Sequence, residues 1–539
     1  MSCWLILALG LFFFTSCGQH ETRVAVGDRE QVYHRANGAE PEDLDPHVVS
    51  GVQEDNIIRA ILEGLVSEDP IDLHPVPGMA ESWDISPDGK VYTFHLRKEA
   101  RWSNGDPVIA SDFLKTYERA LAPQMANQYA YMMFAVKNAE EYNKGTLKDF
   151  TQVGFKVLDE ATLEITLNNP TSYFLSILNH DSWFPLHIPT ILKYGGLYER
   201  GNRWTRAGHF VGNGPFALSE WKVNRVISVK KNPLYWDAKT VRLNEIRFYP
   251  IESLDTEERA FRSGQVHRTD KLPLPKVEYY KQKYPELLLR APYLGTYFYI
   301  FNVKRAPFND KRVRQALTMA IDRETITKNV TRGGEEPAYT FTPPNTAGYT
   351  SSARITPDLA KAKQLLAEAG FPDGRGFPHF EILYNTLESH KTIAEALQQM
   401  WKKNLNIDVG LRNEEWKVYL NTKKAGGDFD LCRYGWIGDY PDPNTFLDMW
   451  ITDGGNNDAG WSNKEYDRLI AEAGKTIDPQ ERFKIFQKAE AILLDEMPVL
   501  PIYYYVSIYL LQPSLKNYHA TILDHQPYKY LYLEPQKKN

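Results

Sequence analysis

Cysteine is scarce here: three in 539 residues. Two of them, Cys3 and Cys17, stand at the extreme N-terminus, so a processed chain keeps Cys432 as its one unpaired thiol and has no intramolecular disulfide. A chain of this size dispenses with such bridges because its core is large enough. Also missing is any uninterrupted apolar run of about 18 residues, so nothing in the body reads as a membrane-spanning helix. No long basic run occurs and the net charge is −6, which argues against nucleic acid as a partner. The sequence lacks His-Glu-x-x-His, Gly-x-Ser-x-Gly and Cys-x-x-Cys, removing support for zinc proteases, hydrolase elbows and redox pairs. Its 13 histidines are scattered without metal-ligand spacing, and there is no internal repeat.

What is present begins with a leader. Leu5 to Phe14 is an apolar stretch too short to span a bilayer and suited to a signal peptide over residues 1–16. It runs into Thr15-Ser16-Cys17, which resembles a bacterial lipoprotein box, in which the cysteine becomes the lipidated first residue. No Lys or Arg precedes the stretch, and Phe14 stands where Leu is usual. A polar linker is expected over residues 17–29. The remaining length exceeds one hydrophobic core and implies two or three domains. Aromatic residues reach 13%, a surplus that lines ligand-gripping sites as readily as it fills a core.

The periodicities mix strands with helices. Val91 to Leu96 and Ala161 to Leu167 alternate like half-buried strands, and Val226 to Val229 and Ile246 to Tyr249 read as two more. Beyond about residue 310 the texture turns helical. Leu359 to Ala369, Thr392 to Trp401 and Pro479 to Met497 carry apolar residues at helical spacing. Phe380 to Tyr384, the second of those helices and Ile407 to Val409 compose a βαβ unit, hence a partly parallel sheet. An apolar run, Val499 to Leu511, follows the last helix. The expected class is α/β with mixed sheets.

Two weak motifs fail on inspection. Gly474-Lys475-Thr476 has the ending of a phosphate loop, but Leu469 replaces its first glycine. Gly212 to Ala217 loosely fits a dinucleotide fingerprint, yet Pro215 removes an amide that should face phosphate. The segment Arg433 to Pro443 is more informative, being aromatic, glycine-broken and acidic. An extended strand there offers its backbone to a second extended chain. Asp439, just past it, either meets a positive charge on that chain or caps the proline-rich turn, with Asp442 an exposed turn residue. The residues alone leave both readings open.

A resemblance covers about Asn37 to Pro535. Asp43-Leu44-Asp45-Pro46-His47 comes first, then Glu63-Gly64-Leu65-Val66, then Ala80-Glu81-Ser82-Trp83 through Phe94-His95-Leu96-Arg97 to Trp102-Ser103-Asn104-Gly105. Gly214-Pro215-Phe216, Asn232-Pro233 and Pro307-Phe308-Asn309-Asp310 follow in family order. The chain thereby resembles the oligopeptide-binding proteins that serve ABC transporters, a class of extracytoplasmic solute-binding proteins.

The resemblance implies a two-lobed, three-domain periplasmic-binding-protein fold with a ligand cleft between the lobes. Lobe I would comprise 30–63, 188–290 and 507–539, with an extra domain over 64–187, and lobe II 291–506. It implies a monomer without cofactor or catalysis that carries short peptides to a permease and ATPase complex. Such a protein is periplasmic or at the cell surface, held to the membrane by its lipid. Ser50, Gly51 and Val52 and Gly435, Trp436 and Ile437 would supply strands flanking the peptide. Asp439 would pair with its α-ammonium, Trp416 and Tyr129 would surround side-chain pockets, and Arg433 and His390 would answer its carboxylate. Two positions depart from the family: a pocket glutamate corresponds to Ser50, and a carboxylate-binding lysine to Thr331, beside Arg332. The other cargoes of the class are dipeptides, murein peptides, nickel and haem. A secreted hydrolase using Asp439 and Asp442 is the reading from a different class.

Overall fold

A computed structural model describes residues 21–171 and 173–535. The leader and Cys17 lie outside the described residues. So does the start of the expected linker, but its remainder is not a linker. Thr22 caps a helix, Arg23–Glu30, its hydroxyl oxygen accepting from the Ala25 amide at 3.1 Å. Val24 and Asp28 are buried, and Asp28 lies 3.1 Å from the buried His267 ring. That distant partner makes a charged, linker-like stretch into a docked element.

Three sheets organise the rest. The strand Val32–Ala36 pairs in parallel with Glu245–Tyr249, and Val226–Lys231 and Phe216–Lys222 extend that sheet antiparallel. A second sheet is an antiparallel set of Ala80–Ile85, Val91–Leu96, Thr162–Thr166 and Phe155–Asp159. Its alternation is the expected one: Tyr92, Phe94 and Leu96 face inward. The helix Ala110–Leu121 contributes Phe113 and Tyr117 to the same core.

The third sheet has six strands, in the order Glu336–Pro337, Val499–Leu510, Leu288–Phe301, Leu431–Ile437, Phe380–Asn385, Val409–Glu414. The βαβ unit is there: Phe380–Asn385 and Val409–Glu414 run parallel, joined by the helix Glu388–Leu405. Ile393, Ala394, Leu397, Trp401 and Leu405 bury one stripe of that helix. Asn406, in the left-handed region at φ 55°, ends it.

Leu288–Phe301 and Val499–Leu510 pair over nearly their whole length, with irregular register between Pro292 and Thr296. One end of the pair packs with Phe261, Val266 and Tyr280, the other with Phe308, Val313 and Trp401. Two continuous strands therefore connect separate cores. Both expected lobe boundaries near 290 and 506 fall inside these strands, not in loops.

The weak motifs resolve as packing. Gly214 donates to Ile61 O at 3.0 Å, and a Cβ there would sit 2.6 Å from the Leu62 amide. Close backbone contact requires that glycine. Gly474 caps the helix Lys464–Ala473.

Candidate functional site

A cavity of about 340 Å³ lies between the sheets, within the range usual for small-ligand sites. Every residue expected at the site contributes to its wall. One wall is the edge of Leu431–Ile437. Its inner side pairs with Leu288–Phe301 from Leu431 through Ile437. Its outer side pairs only at Leu431 and Cys432, with Ile382 and Leu383. From Arg433 onward that edge is bare.

Alternation decides which groups it offers. The Gly438 amide donates inward to Leu294 O at 2.8 Å, so even-numbered residues face the neighbouring strand and Arg433, Gly435 and Ile437 face the cavity. The Tyr419 hydroxyl donates to Arg433 O. Gly435 and Ile437 keep their amides and carbonyls for another extended chain. A side chain at Gly435 would collide with the Tyr505 hydroxyl.

The opposite segment corrects one expectation. Ser50 to Val52 is not a strand: Gly51 is extended, at φ −102° and ψ 148°, and Val52 opens the helix Val52–Ile61. Glu54 and Asp55 in its first turn suit a helix N-terminus. The segment lines the cavity as a helix start.

The cavity is electrically polar. At one end Asp439 accepts from Thr445 Oγ1 at 3.1 Å, lies 3.6 Å from His180 Nε2, and keeps 10% of its side chain accessible. Burial raises its pKa to about 8. Asp181 lies beside it, 3.2 Å from His180 Nδ1, and burial followed by the charge of Asp55 raises its pKa well above the usual range. Burial, then the charge of Arg59, keeps His180 neutral. Arg59 is the guanidinium of this end, and it is already held by Asp55 at 2.8 Å and Glu68 at 3.5 Å. Asp439 has no cation of its own. The Tyr129 ring lies tilted against His180, at 4.2 Å between centroids, and 6.3 Å from Trp436. Trp416 lies against Tyr419 at 5.7 Å.

At the other end Arg433 Nη2 donates to Tyr505 Oη at 2.7 Å and its guanidinium lies over the Tyr297 ring, while Nε has no partner. His390 Nδ1 is 3.3 Å from Tyr297 Oη. Burial, then the charges of Arg433 and Lys271, lower its pKa well below the usual value. Thr331 lines the wall too, but its hydroxyl donates to Glu335 Oε2 at 2.8 Å. Arg332 is exposed and donates to Asn329 O, away from the cavity.

Asp442 is not an exposed turn residue. It is buried and held by both Nη atoms of Arg482, at 2.7 and 2.8 Å, outside the cavity wall. A two-carboxylate hydrolytic centre with Asp439 thus loses one member. Sequence reasoning missed Asp181, His180, Arg59 and Tyr505, which reach the cavity only through tertiary contact. A cavity with a bare strand edge between an acid without a cation and a buried guanidinium suits a short extended zwitterion.

Residues 74–458 match the bacterial extracellular solute-binding proteins, family 5 Middle. The chain belongs to this family. It is 40% identical over 503 residues to the periplasmic oligopeptide-binding protein OppA of Salmonella typhimurium, covering 91% of this chain and 90% of that one. The structure of Haemophilus influenzae OppA in complex with RPPGFSPFR matches at a TM-score of 0.89, with 36% identity, over 94% of this chain and 99% of that one. The family's mixed α/β, two-lobed fold is the fold of this chain.

A third relative, the Escherichia coli murein tripeptide-binding protein MppA, distinguishes two arrangements. The TM-score is 0.89 for one of its structures, covering 93% of this chain and 98% of that one, at 34% identity. For the unliganded open form it is 0.63 at the same identity, over 94% and 97%. Equal identity with unequal superposition means that the lobes, not the fold, differ. The present chain has the arrangement that is not open. Outside the cavity, Tyr173, which follows the strand Thr162–Thr166, stacks on Tyr440, which follows Leu431–Ile437, at 5.3 Å and 3°. Arg482 covers Tyr173 from 4.5 Å. Such a pair is worth about 0.5–1.5 kcal/mol beyond the area it buries.

Proposed function

We propose that this protein captures short peptides outside the cytoplasm and delivers them to an ABC-type importer, without catalysis and as a monomer. The observation that carries this is the polar cavity beside a bare strand edge. Gly435 and Ile437 pair with the peptide backbone, so affinity is largely independent of sequence. Asp439 meets the α-ammonium, Tyr129, Trp436 and Trp416 flank the side chains, and Arg433 and His390 lie where the carboxylate falls. Ser50, Gly51 and Val52 close the facing wall. Lobe I comprises 30–63, 188–290 and 507–539, its extra domain 64–187, and lobe II 291–506. The family's peptide-binding members, and the placing of OppA in the periplasm, support export and an importer as partner.

Incubation with a mixture of tri- to pentapeptides, followed by native mass spectrometry, tests the reading. Intact peptides should remain bound, and a bound peptide at about 100 times its Kd should add about 2.7 kcal/mol of stability, read as a higher Tm. Cleaved peptides, or none bound, would refute it.

The Thr15-Ser16-Cys17 motif supports lipidation at Cys17 and a membrane anchor. Intact-mass measurement on protein from native membranes should find a diacylglyceryl cysteine at the N-terminus; a retained leader or free Cys17 thiol contradicts it.

A further inference from the structure

Thr331 stands where the family carries a carboxylate-binding lysine, its hydroxyl is committed to Glu335, and Arg332 points outward. Another cation takes up the opposite wall. Lys271 lines the cavity; its backbone amide donates to Glu257, but among the described residues its side chain has neither hydrogen bond nor ion pair. The other cavity cations contrast with it: Lys423 Nζ donates to Asp458 at 2.7 Å, and Arg59 and Arg35 are held by Asp55 and Tyr528. The Lys271 residue is exposed, and burial, opposed by the charge of Asp270, lowers its pKa. Arg433 adds a like charge to that effect, and both cations act on His390.

The two cations come from different bodies. Lys271 follows Arg268, which bridges the strand Val32–Ala36 at Arg35, whereas Arg433 belongs to the six-stranded sheet. Asp270 and Glu257 act on Lys271 by charge without an ion pair to its ammonium, and Arg433 Nε is unpartnered in a residue only 8% exposed, so two cations with unmade bonds share one end of the closed cavity. Like charges there oppose closure, and one carboxylate between them answers both.

We propose that Lys271 and Arg433 form a carboxylate subsite that spans the cleft, and that Lys271 selects ligands presenting a carboxylate there. The inference rests on the peptide reading above and adds to it the residue that sets preference at the anionic end. The carboxylate is either the C-terminal group of a peptide of suitable length or an acidic side chain of a longer one.

The test uses the full-length protein and alanine peptides of three to five residues, each as free acid and C-terminal amide. A second amide set carries one glutamate. At the length that reaches the subsite, wild type should prefer acid to amide by tenfold or more, and K271M should reduce that ratio to within about threefold. K271R should restore most of it, which a merely structural role would not. Recovery of affinity by the glutamate-containing amides, lost again in K271M, would assign the side-chain source; no recovery assigns the C-terminus. An acid-to-amide ratio unchanged in K271M, with normal melting, overturns the proposal while leaving peptide binding intact. Failure of wild type to bind any of these peptides overturns the peptide reading, and the subsite with it.

Discussion

Asp439→Asn is expected to weaken peptide binding by more than about a hundredfold. Asparagine keeps the shape and can still accept from Thr445, but a peptide ammonium would then be buried without its counter-charge. Breaking one side of a buried ion pair costs roughly 3–5 kcal/mol. Acetylating the peptide removes the other side and should cost wild type a similar amount, since Asp439 must then take up a proton or stay ionised without a partner. Combined, the two changes should lose less than the sum, because they delete a single interaction. Isothermal titration with free and acetylated forms of one peptide measures all four corners. A turn-capping role predicts instead a lower Tm and equal treatment of both peptides. If the variant melts normally and does not distinguish them from wild type, Asp439 is not the amine receptor.

Closure of the empty protein should depend on pH, with a sign fixed by the same carboxyl group. In the closed cleft Asp439 titrates at about 8 rather than at its ordinary 3.8. At about 1.4 kcal/mol per pH unit, keeping it ionised there without a ligand costs on the order of 5 kcal/mol. The closed form therefore holds a proton that a hydrated, open cleft releases, and closure is promoted as pH falls through 8. Asp181 acts in the same direction. His180 and His390 act in the other: both are kept neutral by burial, so below their ordinary 6.5 the open form gains protons that the closed form refuses. Small-angle scattering on ligand-free protein should show the radius of gyration falling from pH 8.5 to 7 and levelling off below about 6.5, where the two carboxyls and the two histidines offset each other. Peptide-saturated protein should stay compact from pH 7 to 8.5. Asp439→Asn should be more compact than wild type at pH 8.5. A flat profile over pH 7 to 8.5 for the empty wild type would dispose of this linkage.

Much of the fold was legible because its determinants are local. Alternation placed Val91–Leu96, and a helical stripe over Thr392 to Trp401 with strands on either side announced the βαβ unit. The bare edge of Leu431–Ile437 could be anticipated from a β-prone segment broken by glycine, and Asp439 from its position just past it. Glu54 and Asp55 mark a first helical turn and outweigh the strand expected at Val52. The Arg23–Glu30 helix was hidden for a different reason: its buried acid finds His267 239 residues later. Asp181, Lys271 and the Tyr173–Tyr440 stack are equally silent in sequence. Their roles arise from what faces them across the cleft, and no local pattern encodes that.

The Tyr173–Tyr440 stack has a consequence for how truthfully the molecule reports its load. It lies outside the cavity and touches no residue position that cargo would fill, so nothing in the stack itself depends on cargo. By itself it biases the protein toward false positives, a closed shape with nothing inside. The proton that Asp439 must take up to close empty biases it toward false negatives at neutral pH, because the lobes shut cheaply only over an amine. The fidelity of the signal is the difference between these two energies. A variant with a stronger rim contact would announce cargo it does not hold, and an importer that reads closure would cycle on empty carriers.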